Sequence, residues 1–215
     1  MNPIPGAAFG TSGNGVPSGG DPGFGLAEFM MSVLLMLIVM ASLFDLMIRV
    51  ERTAAYQGEV QEVVEGTRMA METAQRILRQ AGNDPLCSGF PGIVIVGDSA
   101  VAVRADVTGA GPGSPDQGDP DGDTDDSGEQ VTIRHNAAGR TFELVPAGGS
   151  AQPLASNITE LRFEYFDGGG APTAIGDEVR RIRITLTGAA PLPDPRTGQV
   201  FSMRLQSDVL LVLRR

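Results

Sequence analysis

The hydrophobic pattern changes period twice along the chain. From Phe24 to Phe44 apolar residues run with few breaks, and Glu28 is the single charged position. A helix needs about 20 such residues to cross a bilayer, so this stretch predicts one transmembrane helix. Asp45, Arg49, Glu51 and Arg52 close it. From there to residue 82 the apolar positions fall three and four apart: Val60, Val63 and Val64, Thr67, Ala70 and Met71, Ala74, Ile77 and Leu78, Ala81. Glu59, Glu62, Glu65, Arg68, Glu72, Arg76 and Arg79 fill the positions between. Such spacing describes an amphipathic helix with one face on a core. No proline interrupts residues 24–82, and Gly82-Asn83-Asp84-Pro85 stops the helix. Glycine accepts the left-handed conformation after a last turn, and proline cannot continue a helix.

Beyond Pro85 the period drops to two. Strands are predicted over 93–96, 100–105, 130–135, 141–145, 158–166, 179–187 and 199–213. Leu161, Phe163 and Tyr165 share one face, with Arg162 and Glu164 on the other; Ile182, Ile184 and Leu186 alternate in the same way with Arg181, Arg183 and Thr185, as do Val209, Leu211 and Leu213 with their neighbours. One apolar face and one wet face predict an antiparallel sheet. The glycine run of 166–172 reads as a turn between two of these strands. The expected fold class is α+β: a long helix over 24–82, membrane-spanning in 24–44, whose second half packs on an antiparallel β-sheet in a head domain of residues 83–215.

Composition narrows the function. The 215 residues are 41% hydrophobic, enough for a packed core, and carry a net charge of -10 with a pI near 4.5. Phosphate backbones demand a basic surface, so nucleic acid is not an expected partner. Every basic residue is Arg. The single cysteine, Cys87, cannot form an internal disulfide and has no basic neighbour to activate it. His135 is the only histidine, which leaves no pattern for a zinc site or a histidine-based triad, and no phosphate-binding G-x-x-x-x-G-K-[ST] loop occurs. An enzyme is not expected.

Residues 115–130 form an acidic loop holding Asp116, Asp119, Asp121, Asp123, Asp125, Asp126 and Glu129. Carboxylates at alternate positions (Asp119, Asp121, Asp123 and Asp125) suit Ca²⁺, which prefers hard oxygen ligands. The helix-loop-helix calcium template asks for Gly at the sixth position and Glu at the twelfth; counted from Asp119 these are Thr124 and Gln130. Two readings therefore stand: a solvated loop of the kind Gly, Pro and Asp favour anyway, and a loop stabilised by Ca²⁺. No cofactor is required in either.

Gly23-Phe24-Gly25-Leu26-Ala27-Glu28, followed by the apolar run, resembles the class III signal of type IV prepilins and type II secretion pseudopilins. The match comprises a cleavage Gly, an aromatic first residue, Leu third, Glu fifth and the apolar stretch. The segment from Met69 to Asp84 also resembles the helix end of PilW-type minor pilins and J-type pseudopilins. The resemblance implies a leader of residues 1–23, cut by prepilin peptidase between Gly23 and Phe24, with N-methylation of Phe24. It implies a single pass through a bacterial inner membrane, a periplasmic head, and assembly with other pilin or pseudopilin subunits into a type IV pilus or type II secretion pseudopilus. Glu28 is then the residue that meets the N-terminal amine of a neighbouring subunit.

The chain departs from that pattern in its leader, which is rich in Gly, Pro and Ser and carries Asp21 but no basic residue. Arg49 and Arg52 follow the apolar run, a bias that by the positive-inside rule favours the opposite orientation. A secretory signal peptide would want a basic start, a shorter core and a small-residue cleavage site, none of which is present. The alternative reading is a permanently anchored periplasmic domain that binds Ca²⁺ or another ligand through residues 115–130.

Overall fold

The computed structural model describes residues 25–109, 118–126 and 128–211. The helix α1 spans Leu26–Gln80, slightly inside the expected 24–82. Gly25 precedes it, and residues 81–82 already form a turn. Gly82 takes the left-handed conformation expected of it, at φ 70°. Its N–H, however, donates to the Arg104 carbonyl at 2.9 Å, while Asn83 N–H returns to the Gln80 carbonyl at 3.0 Å. The helix stop thus doubles as an attachment to the sheet.

Two compact units divide between Ile48 and Arg49. In the first, every described residue of α1 is exposed. In the second, α1 continues and all the strands follow. The strands β1 (Ile93–Gly97), β2 (Ala100–Arg104), β3 (Gln130–Asn136), β4 (Thr141–Pro146) and β5 (Gln152–Ala155) make a five-stranded meander in chain order. The strands β6 (Ile158–Phe166), β7 (Arg181–Ala189) and β8 (Ser202–Leu210) make a second sheet. Every pairing is antiparallel. The fold is α+β as expected, with two corrections: there are two sheets where one was expected, and β5 had not been foreseen. A short 3₁₀ turn, Gly176–Glu178, leads into β7.

The core follows from the two periods meeting. Val63, Thr67, Ala70, Met71, Ala74 and Leu78 are buried along α1. Of these, Ala70, Met71, Ala74 and Leu78 form one buried core with Leu161, Phe163 and Tyr165 of β6, Ile182, Ile184 and Leu186 of β7, and Val101, Ile133 and Phe142 of the other sheet. Each large side chain so buried contributes about 1.5–3 kcal/mol relative to exposure. Helix and sheet approach closely at Thr67, whose Oγ1 donates to the Val63 carbonyl at 2.6 Å. A Cβ at Gly188 of β7 would run into Thr67 Oγ1 and lie 3.0 Å from Val63 Cγ1. Only glycine allows that approach.

On the outer face of the second sheet Asp208 pairs with Arg183 at 2.8 Å and Arg181 at 3.1 Å. The two guanidinium groups lie over the Phe166 ring, 5.3 and 4.3 Å from its centroid. Charges that alternate with the apolar residues of β7 therefore form a surface lattice.

Candidate functional site

Two places carry the candidate residues. The first is the start of α1. Gly25 occupies the capping position, and Glu28 Oε2 accepts a hydrogen bond from its N–H at 3.1 Å. The Glu28 N–H in turn donates to the Gly25 carbonyl at 3.0 Å. This is the glutamate half of a capping box, and an acid in a first turn also complements the helix dipole. Glu28 thus has a local role that sequence reasoning had not assigned. Around it Leu26, Phe29, Met30, Met31, Leu34 and Leu35 are all exposed. α1 is long and apolar enough to cross a membrane, and none of its apolar window is buried within the chain. Gly23 and Phe24 lie outside the described residues.

The second place is the acidic loop. Asp119, Asp121, Asp123 and Asp125 are exposed. Asp121 Oδ1 accepts from Asp123 N–H at 3.3 Å, and Asp123 Oδ1 from Asp125 N–H at 2.9 Å. These are side chain-to-backbone turns in which aspartate stabilises its own loop. Asp116 lies outside the described residues. Among the described residues no three or more His, Cys, Asp or Glu side chains are gathered as a metal cage.

The buried carboxylates sit underneath. Asp106 follows β2 and Glu129 precedes β3; their exposures are 0% and 2%. Backbone pairing runs past the strand ends to hold them there, with Ala105 N–H donating to the Glu129 carbonyl at 3.0 Å. Asp106 Oδ2 accepts from Gly122 N–H at 2.9 Å. Glu129 Oε1 accepts from Val107 and Thr108 N–H, both at 2.8 Å, and from Thr108 Oγ1 at 3.4 Å. Burial pushes the Asp106 carboxyl above the ordinary range against the pull of the Gly122 bond, and the charges of Glu129 and Asp121 push the same way. Asp106 Oδ1 and Glu129 Oε2 are both buried without a hydrogen-bond partner.

Nearby, Asp84 accepts from Gly89 N–H at 2.8 Å and Ser88 N–H at 2.9 Å. Those bonds, that of Gly89 first, hold its carboxyl below the usual range. The loop rests on this turn, since a Cβ at Gly122 would come within 2.6 Å of Ser88 Oγ.

The remaining chemistry-bearing residues have structural partners or surface positions. His135 Nε2 donates to the Ile158 carbonyl at 2.9 Å, joining the two sheets. Cys87 is exposed in the turn after α1. Glu143 is buried and accepts from Arg134, Asn136 and Thr141 at 2.8–2.9 Å. The Asn136 and Arg134 bonds hold its carboxyl below the ordinary range. Ser207 accepts from Gln75 of α1 at 2.9 Å. No protein-family model matches the chain, and no curated protein does.

Proposed function

We propose that the protein is a prepilin-like minor pilin or pseudopilin. It is cut between Gly23 and Phe24, held in the inner membrane by the start of α1, and assembled as a structural or initiating subunit of a type IV pilus or type II secretion pseudopilus. One observation supports this most. The apolar start of α1, exposed at every described residue up to Ile48, carries one carboxylate in its first turn, while later residues of the same helix are buried. A charge placed centrally in a bilayer costs about 2.5–3.5 kcal/mol, and a buried charge is tolerable mainly when paired. The freed amine of Phe24 on a neighbouring subunit is the pairing group. Prepilin peptidase and sibling subunits are the partners on this reading, and the head is periplasmic.

The N-terminus of protein purified from membranes tests the processing step. Intact mass and terminal sequencing should show a chain beginning at Phe24 with one added methyl. A chain beginning at Met1, in a host with active prepilin peptidase, sinks the reading.

The capping bond to Gly25 supplies the second test. Glu28→Gln keeps an acceptor for that N–H but removes the charge, whereas Glu28→Leu removes both. If charge pairing drives assembly, both variants insert in the membrane and neither joins filaments. Normal incorporation of Glu28→Gln would reduce Glu28 to a helix cap. A permanently anchored periplasmic binding domain is the second reading, favoured by the unpartnered oxygens of Asp106 and Glu129. Its signature is an unprocessed N-terminus and no association with filaments.

A further inference from the structure

We propose that Asp106 and Glu129, beneath the acidic loop, form the seat of one Ca²⁺-type divalent cation, and that the exposed aspartates above are not its principal ligands. The inference is independent of the filament reading and concerns the head alone.

Each of the two carboxylates spends one oxygen on the backbone. Asp106 Oδ2 holds the Gly122 N–H, and Glu129 Oε1 holds the Val107 and Thr108 N–H groups. Each keeps its other oxygen buried and without a partner. A carboxylate has about four lone-pair sites, and an acceptor buried without a partner pays its full desolvation cost. Here two such oxygens come from like-charged groups that the strand ends bring together: Ala105 N–H donates to the Glu129 carbonyl, and Glu129 Oε1 holds the amides of Val107 and Thr108, the two residues that follow Asp106. No described basic residue forms an ion pair with either. A positive species is the missing component, and the loop fixes where it sits.

The donor set selects the class. All the free ligands are hard oxygens, which suit Ca²⁺ or Mg²⁺. Zinc is disfavoured because no His or Cys contributes. Ca²⁺ accepts six to eight oxygens in irregular geometry, including backbone carbonyls and water, whereas Mg²⁺ demands a near-ideal octahedron. Two carboxylates on an irregular loop match the first requirement. Because no three acidic side chains are gathered among the described residues, loop carbonyls and water complete the shell, and Asp121 is a further carboxylate whose charge acts on Asp106. A cation there would tie the 107–108 segment, held by Glu129, to the 121–122 turn, held by Asp106.

The experiment is a Ca²⁺ titration of the full chain in detergent, after chelator treatment, by calorimetry and thermal unfolding. Saturable single-site heat and a melting temperature raised by several degrees are the expected result. No heat and an unchanged melting temperature overturn the proposal. Asp106→Asn and Glu129→Gln should each weaken binding by about tenfold or more. The triple variant Asp119→Asn, Asp123→Asn, Asp125→Asn should bind as the parent does. The reverse pattern places the ion on the outer loop and also overturns the proposal. Should the buried variants fail to fold, Mn²⁺ added to the unaltered chain gives the same answer by NMR. Paramagnetic broadening should centre on the Val107, Thr108 and Gly122 amides; broadening confined to 123–126 excludes the seat.

Discussion

The two halves of α1 are both apolar, but for different reasons. Up to Ile48 large side chains cover the whole circumference and none is buried. From Val63 onward the buried residues are mostly small and lie on one side: Val63, Thr67, Ala70, Thr73 and Ala74, with Met71 and Leu78 as the larger members. The first half is apolar all round, long enough to cross a membrane, and none of its apolar window is buried by the chain. The second is small because a sheet must approach closely. Hydrophobicity alone does not separate the cases; side-chain size and the width of the stripe do.

Substitutions can break or sharpen that contrast. Leu78→Ala, at a wholly buried position, should cost the head about 2–5 kcal/mol. Leu35→Ala, at an exposed one, should leave head unfolding unchanged. Denaturant titration of both variants in detergent decides it, and equal losses would mean that the halves do not differ as described. Gly188→Ala forces a methyl against Thr67 and should cost about 1–3 kcal/mol.

Acid should act next, through the buried Glu143. The ordinary carboxyl value is 4.5 and the folded value lies lower. The stability it contributes is therefore full above pH 4.5 and disappears as pH falls through the folded value. Glu143→Gln should flatten the acid limb of a melting-temperature curve; an unaltered limb would show that the contribution lies elsewhere. Gly58→Ala, in helix with open space around the new methyl, should stabilise α1 by about 1 kcal/mol, seen as a later thermal transition. Smallest of all, Arg162→Ala breaks a 3.8 Å surface pair with Glu164 and should shift stability by less than about 0.5 kcal/mol.

Much of the fold was legible because its elements are strongly periodic. Seven of the eight strands and the stop at Gly82 follow from alternation and turn chemistry. β5 escaped because Gln152-Pro153-Leu154-Ala155 is four residues long and holds a proline, which argues against a strand unless it lies at an edge. It does lie at the edge of its sheet. The division into two sheets was hidden too, since alternation tells which face is wet and not which strand is the neighbour. β7 and β8 begin at residues 181 and 202, later than the apolar runs suggested.

The acidic loop shows the limit most clearly. Asp106 and Glu129 read no differently from the exposed aspartates between them. Their burial comes from standing just beyond β2 and just before β3, where continued pairing draws them inward. Of the four aspartates at alternate positions, Asp121 and Asp123 each brace a turn of the loop instead, by accepting from the amide two residues on.

The meeting of Thr67 and Gly188 has a consequence for how this chain can change over time. Volume there is a shared allowance: a methyl gained on the strand must be surrendered by the helix. Thr67→Ala removes the atom that blocks a Cβ at Gly188. Gly188→Ala should therefore be better tolerated beside Thr67→Ala than alone, so that the two losses fail to add. Substitutions at residues 67 and 188 should then be found in compensating pairs, each harmful alone and acceptable together.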